Sequence, residues 1–77
     1  MNWVIDWSRQ ASAFLEKNRI PEEEIFDLIH LVLNKFSGWE GFHRIRKGKL
    51  RVIAAFDFDH TSVFIEVVDW RGNAYQQ

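Results

Sequence analysis

The sequence predicts an α+β domain in which two helices cover one face of a mainly antiparallel sheet. Apolar residues alternate near the start, recur at helical spacing over 25–36, and alternate again from residue 42 onward. With 77 residues the chain is long enough for one core, and a hydrophobic fraction of 47% excludes intrinsic disorder. We expect a strand, two helices and a three-strand meander, all within a single domain spanning 1–77.

The first half of the chain predicts a strand followed by two helices. The alternation of apolar residues puts three of them on one face of the strand: Trp3, Ile5 and Trp7. Ser8 can cap a first helix that ends near Asn18, and its inward positions are Ala11, Phe14 and Leu15. Pro21 opens the second helix, and Ser37-Gly38 ends it. The inward stripe of that helix is Ile25, Leu28, Ile29, Val32, Leu33 and Phe36.

The second half predicts three strands, at 42–47, 49–57 and 61–69. Lys47-Gly48 is predicted to form a two-residue turn, in which glycine supplies a positive φ. Arg46 then faces Lys49, and Arg44 faces Arg51. The sheet face opposite the helices is therefore predicted to carry Arg44, Arg46, Lys49 and Arg51. The core is predicted to receive Ile45, Leu50, Val52, Ala54, Phe56 and Ile65.

Composition limits the possible functions. There is no Cys, and the spacing of the three His does not resemble a metal site. The first residues carry Asp6 and lack a basic region, which argues against a signal peptide or membrane anchor and favours the cytoplasm. The formal net charge is −1, but five of the ten basic residues fall in a stretch without acids: Arg44, Arg46, Lys47, Lys49 and Arg51. Local potential decides what a surface attracts, so this stretch is a candidate anion-binding site.

Two interpretations of the basic stretch remain open at this point. Cations on neighbouring strand positions repel one another, so their collection favours an anionic ligand. Alternatively, the face is only solvated and neutralised by Glu66, Asp57 or Glu40. The same alternatives hold for three aromatic residues, which either stack on RNA bases or belong to the core: Trp39, Phe64 and Trp70. His30 is expected to be solvated.

Residues 41–53, GFHRIRKGKLRVI, resemble the signature of RelE/ParE toxins, an aromatic residue followed by R-I-R-x-G-x-x-R-V-I. Residues 69–75, DWRGNAY, resemble that family's C-terminal pattern, in which an Arg precedes a Tyr by four residues. The resemblance implies a RelE/ParE-like fold. RelE-like members are metal-independent endoribonucleases that cleave mRNA in the ribosomal A site, whereas ParE-like members poison DNA gyrase. The terminal Arg and Tyr favour the RelE-like activity.

The resemblance also implies roles for individual residues. By position, the catalytic residues would be Arg46, Arg51, Arg71 and Tyr75, and the RNA-binding residues would be Arg44, Lys47 and Lys49. A ribose 2′-hydroxyl would attack the neighbouring phosphate, which guanidinium groups would hold without a cofactor. The general base stays open among Glu66, Glu40 and a neighbouring Lys, because an arginine keeps its proton at any relevant pH and is a poor base. The implied partners are mRNA, the ribosome and a small antitoxin; a ParE-like inhibitor or an inactive antitoxin-binding module is the alternative.

Overall fold

The described part of the chain forms two helices and one four-stranded sheet. The computed structural model describes residues 3–35 and 40–71. The elements are β1(Val4–Trp7), α1(Arg9–Lys17), α2(Glu22–Lys35), β2(Gly41–Lys47), β3(Leu50–Asp57) and β4(Ser62–Trp70). In the sheet order β1-β4-β3-β2, β1 runs parallel to β4, and the other neighbours are antiparallel. The predicted α+β class and element order are confirmed.

Both helices begin, and α1 ends, where their capping residues predict. The Ser8 hydroxyl accepts a hydrogen bond from the Ala11 amide at 3.0 Å, and Asn18 follows the last residue of α1. Pro21 lies directly before α2, and its carbonyl accepts from the Glu24 amide at 3.1 Å. Phe36 and the predicted stop at Ser37-Gly38 fall outside the described residues. No helix in the described part is long and apolar enough to cross a membrane.

The core lies between the helices and one face of the sheet. Its buried side chains are Ala11, Leu15, Ile25, Leu28, Ile29, Val32, Ile45, Leu50, Val52, Ala54, Phe56, Val63, Ile65 and Val68. The predicted core is confirmed except that Phe14 and Leu33 are only half-buried at its margin. Every strand contributes alternate residues, so both helices lie against the same sheet face. The other face, here called the open face, has no helix among the described elements.

Side chains from the start of α1 replace the missing part of β1. Strand β1 pairs with β4 only as far as Ile65, whereas β4 continues to Trp70. The Ser8 hydroxyl donates to the Glu66 carbonyl at 2.6 Å. The Gln10 amide donates to the Val68 carbonyl at 2.9 Å and accepts from the Val68 amide at 3.1 Å. These bonds satisfy backbone groups of β4 that would otherwise lack strand partners, and they fix α1 against the sheet.

The turn between β2 and β3 corrects the predicted register. The two loop residues are Gly48 and Lys49, so that Lys47 pairs with Leu50 and Arg46 pairs with Arg51. Gly48 has φ +60°, whereas Lys49 has no positive φ. This turn needs only one positive φ, at its first central position, where glycine is favoured. A Lys47-Gly48 turn would put lysine at that first position. The correction shifts the pairing by two residues and therefore leaves the side chains of both strands on their predicted faces, whereas Lys49 moves into the turn.

We predict that the core loses stability when a residue of the α2 stripe is truncated. Ile29 is fully buried, so Ile29→Ala should lower the free energy of unfolding by roughly 2–5 kcal/mol. Leu31, on the same helix, is 55% exposed, and Leu31→Ala should change it by less than about 0.5 kcal/mol. Urea denaturation followed by circular dichroism measures both. Equal midpoints for the two variants would contradict the assignment of the core.

Candidate nucleic-acid interface

The open face carries two exposed arginines on an edge strand. Arg44 and Arg46 alternate along β2 with Ile45, which is 5% exposed and faces the helices. Since successive strand residues point to opposite faces, both arginines lie on the open face. The predicted face of these two residues is confirmed. We call them the basic strip.

Arg51 lies in the same row of the sheet but is buried. It pairs with Arg46 on one side and with Asp69 on the other. Its side chain is 4% exposed, and Nη1 donates to the Gly48 carbonyl at 2.8 Å and to the Leu50 carbonyl at 3.0 Å. Arg51 thus lies on its predicted face of the sheet, but the expectation that its side chain stays outside the buried interior was wrong. The guanidinium is directed at the backbone of the β2–β3 turn, which it holds in place.

The two lysines of the predicted site lie apart from the basic strip. Lys47 lies on the same face of β2 as Ile45, and its ammonium lies 3.9 Å from the Glu24 carboxylate on α2. Lys49 lies within the turn and is exposed, so its predicted place in the row of arginines was wrong. Both remain at the same end of the sheet as Arg46. They add positive potential around the turn, but neither belongs to the strand row of the basic strip.

The residue after β4 is joined to the same turn. The Arg71 amide donates to the Lys49 carbonyl at 2.6 Å, and Arg71 is exposed. The described chain therefore brings Arg71 to the end of the sheet where Arg46 lies. Tyr75 falls outside the described residues, as does Trp39.

Acidic residues lie on β4 and directly before β2. Asp69 on β4 shares the row of Arg46 and Arg51, and its carboxylate accepts from the Trp70 amide at 2.7 Å. Glu66 is exposed at the irregularity of β4 that follows Ile65. Glu40 precedes β2, and its carboxylate accepts from the Phe58 amide at 3.4 Å. Positive potential is thus concentrated along β2 and the β2–β3 turn.

Two phenylalanines are exposed beside the basic strip. Phe42 is 66% exposed and lies on the same face of β2 as Arg44. Phe64 on β4 is 39% exposed. Phe64 was among the predicted stacking residues, whereas Phe42 was missed, although the alternation Phe42, Arg44, Arg46 places all three on one face. Trp70 is 40% exposed, but its ring packs edge-on against Phe14, with centroids 5.3 Å apart. Trp70 therefore belongs to the helix side of the sheet.

A histidine–carboxylate pair marks the opposite end of the sheet, in the β3–β4 turn. His60 Nδ1 lies 2.8 Å from Asp57 Oδ2, and the His60 amide donates to Asp57 Oδ1 at 3.2 Å. The side-chain hydrogen bond lowers the pKa of Asp57 and, with the charge attraction between the two groups, raises the pKa of His60. Both groups are solvent-exposed and hold the turn. Within the described ranges, no three His, Cys, Asp or Glu side chains are grouped as metal ligands would be.

The comparisons with known proteins identify the fold. A chain of the toxin–antitoxin complex RelBE2 from Mycobacterium tuberculosis superposes with a TM-score of 0.58 and 20% sequence identity, over 92% of this chain and 100% of that chain. At this identity the likeness concerns the fold, and the RelE-like fold implied by the sequence resemblance is confirmed. No family model matches the chain, and no curated protein matches it.

We predict that Arg51 is needed for stability. Arg51→Gln removes a charged donor that bonds two carbonyls in a buried setting, and should lower the free energy of unfolding by about 2 kcal/mol. Arg46→Gln, on the exposed neighbour in the same row, is the matched control and should change it by less than about 0.5 kcal/mol. Urea denaturation measures both. If Arg51→Gln is as stable as Arg46→Gln, the turn does not depend on the guanidinium.

We also predict that the β3–β4 turn responds to pH. Because folding raises the pKa of His60, its stabilising contribution is complete below the unfolded pKa and is lost as the pH rises through the folded pKa. Because folding lowers the pKa of Asp57, its contribution is present above the unfolded pKa and is lost as the pH falls through the folded one. NMR titration of the His60 ring should show its pKa falling in Asp57→Asn. An unchanged pKa would mean that the pair does not form in solution.

Proposed function

We propose that this protein is the toxin of a toxin–antitoxin system and that it cuts mRNA on translating ribosomes without a metal cofactor. The observation that carries the proposal is the exposed basic strip, Arg44 and Arg46, on a sheet face that no described helix covers. Further support comes from the RelE/ParE-like motifs at residues 41–53 and 69–75, and from a fold shared with a chain of a toxin–antitoxin complex. A ribosome-directed activity would place the protein in the cytoplasm.

The reaction that fits these side chains is transfer of a phosphate within RNA. The ribose 2′-oxygen forms a bond to phosphorus, the bond to the 5′-oxygen breaks, and the products are a 2′,3′-cyclic phosphate and a 5′-hydroxyl. The phosphate gains negative charge in the transition state, and exposed guanidinium groups stabilise that charge through paired hydrogen bonds. Arg46 and Arg71 are suited to this task because both are exposed at the same end of the sheet.

Arg51 has a different role in this proposal from the one that the resemblance implies. Its Nη1 is occupied by two carbonyls of the hairpin, and the residue is almost fully buried. We assign Arg51 the role of a positioning residue. It holds the turn that contains Lys49, and the Lys49 carbonyl in turn binds the Arg71 amide. Phosphate binding then falls to Arg46 and Arg71, with Arg44 and Lys49 along the RNA path.

Proton transfer requires a base for the 2′-hydroxyl and an acid for the leaving 5′-oxygen. An arginine stays protonated at any relevant pH and is a poor base. Glu66 is the proposed general base, because it is exposed on β4. The carboxylate of Glu40 is already bonded to the β3–β4 turn. Tyr75 would stack on a base or orient the phosphate, as its place in the RelE-like motif implies.

The proposed protein partner is a small antitoxin. A positively charged strip beside exposed phenylalanines attracts an acidic segment with apolar side chains, which would cover the surface that RNA needs. RelBE2 was crystallised as a toxin–antitoxin complex, which is the arrangement that this proposal extends to the present chain.

A second function is favoured by the burial of Arg51. If the RelE-like activity requires this guanidinium at the phosphate, a side chain directed into the hairpin leaves the site incomplete. The same fold and hairpin would then serve a ParE-like inhibitor of DNA gyrase or an inactive antitoxin-binding module. The two functions differ in what the protein acts on, so direct assays separate them.

We predict that Arg46→Ala and Arg71→Ala each lower RNA cleavage about a hundredfold, because loss of one charged phosphate contact in the transition state costs on the order of 3 kcal/mol. Arg9→Ala, which removes an exposed arginine on α1, is the control and should cleave like wild type. Tyr75→Phe should retain stacking and lose a hydroxyl contact. The measurement is mapping of mRNA 5′ ends on translating ribosomes after induction of each variant.

A gyrase supercoiling assay on the same proteins decides between the two functions. Cleavage that follows the ribosome and disappears in Arg71→Ala supports the nuclease. Intact mRNA together with inhibited gyrase would support the alternative instead. If neither assay responds, the chain is neither a ribosome-directed nuclease nor a gyrase inhibitor.

A further inference from the structure

A row of the open face places two exposed phenylalanines on either side of a small residue. Phe42 on β2 pairs with Ala55 on β3, which pairs with Phe64 on β4. Since neighbouring strands lie about 4.8 Å apart, the two phenylalanine backbones are separated by roughly 10 Å. The Ala55 methyl group between them is too short to fill the space above the sheet. The row therefore carries an exposed aromatic ring on each side of a small residue.

The basic strip continues directly from one of these rings. Phe42, Arg44 and Arg46 occupy alternate positions on β2, with about 6.8 Å between successive side chains. A groove of about 430 Å³ is lined by Phe42, His43, Arg44 and Ile53. A flat apolar group and a phosphate-binding cation are thus adjacent along one strand. Successive nucleotides of a single strand present the same alternation of flat base and charged phosphate.

The exposure of the two rings is not explained by the fold. Phe56, the residue directly after Ala55 on β3, lies on the helix face and is 2% exposed. Phe42 by contrast remains 66% exposed, so the domain gains little stability from this ring. Val4, on β1, adds a further exposed apolar side chain at 58%. Exposed apolar groups that cluster on one face indicate a binding surface.

We infer that Phe42 and Phe64 form a stacking platform for the bases of single-stranded RNA whose phosphates contact Arg44 and Arg46. The inference rests on the RNA binding of the proposed function but does not require cleavage. Arginines in line with the ring favour a polyanion over an uncharged apolar partner. A duplex keeps its bases stacked on one another, so the platform selects unpaired RNA. Stacking accepts every base, and the platform therefore contributes affinity with little sequence preference.

The test measures the affinity of the full chain for a short fluorescein-labelled RNA of mixed sequence by fluorescence anisotropy. The RNA carries 2′-O-methyl groups, which remove the attacking hydroxyl and keep the strand uncut. Phe42→Leu and Phe64→Leu keep apolar bulk but remove the ring, and Phe42→Trp restores one. Phe26→Leu, which makes the same change on α2, is the matched control. Thermal unfolding of each variant checks that the fold is intact.

Wild type should bind the single strand more tightly than a duplex of the same sequence. Each Leu variant should lower that affinity about tenfold without changing its dependence on salt, because no phosphate contact is lost. Arg46→Gln should lower the affinity and reduce the salt slope by about 1. Phe42→Trp should restore the affinity that Phe42→Leu loses, and Phe26→Leu should leave the affinity unchanged.

The failures of the two proposals are distinguishable. If Arg46→Gln weakens binding while both Leu variants bind like wild type, the platform is wrong and RNA binding stands. If wild type does not bind the single strand, RNA binding and the platform are both wrong. Sedimentation tests the protein alternative: a dimer that Phe42→Leu dissociates, with unchanged RNA affinity, would assign the rings to a protein interface and overturn the inference.

Discussion

Two helices and a single sheet can bury only one sheet face, and this constraint decides what every strand residue can do. The residues of β3 and β4 that face the helices are apolar and, together with Ile45 of β2, supply most of the core. Their neighbours on the open face carry charge, aromatic rings or aliphatic side chains, and most of them, unlike the buried Arg51, are not needed for packing. The open face is consequently where this domain can change its surface chemistry without losing its core, and the two properties can vary independently.

The sequence was sufficient to predict the fold, because the spacing of its apolar residues changes clearly from every second residue to about every 3.6 residues and back. Caps at Ser8 and Asn18, and the stripe of α2, needed no tertiary information. The turn register was missed because Lys47-Gly48 and Gly48-Lys49 both fit the alternation, and only the φ requirement of the first central position separates them. The side-chain bonds of Gln10 to β4 were also beyond prediction, since they join residues 58 positions apart.

The candidate site was predicted less well than the fold, and Arg51 shows the reason. Alternation gives the face on which a side chain begins, but a long flexible side chain can end elsewhere. Here the guanidinium turns back to the hairpin carbonyls, so a residue on the predicted strand face is nevertheless buried. Phe42 shows the converse. A short, rigid ring stays where its backbone places it. The exposure of Phe42 therefore follows from its lying on the same face of β2 as Arg44.

The position of β4 has a consequence for synthesis of the protein. This strand is the last of the described elements in the chain, yet it lies inside the sheet, between β1 and β3. Until β4 is available, β1 has no strand partner and the hairpin of β2 and β3 lacks its neighbour, so the nascent chain cannot close its core. A chain interrupted before residue 62 thus exposes apolar strands and helices, and it is a substrate for chaperones and proteases and not a partly active domain.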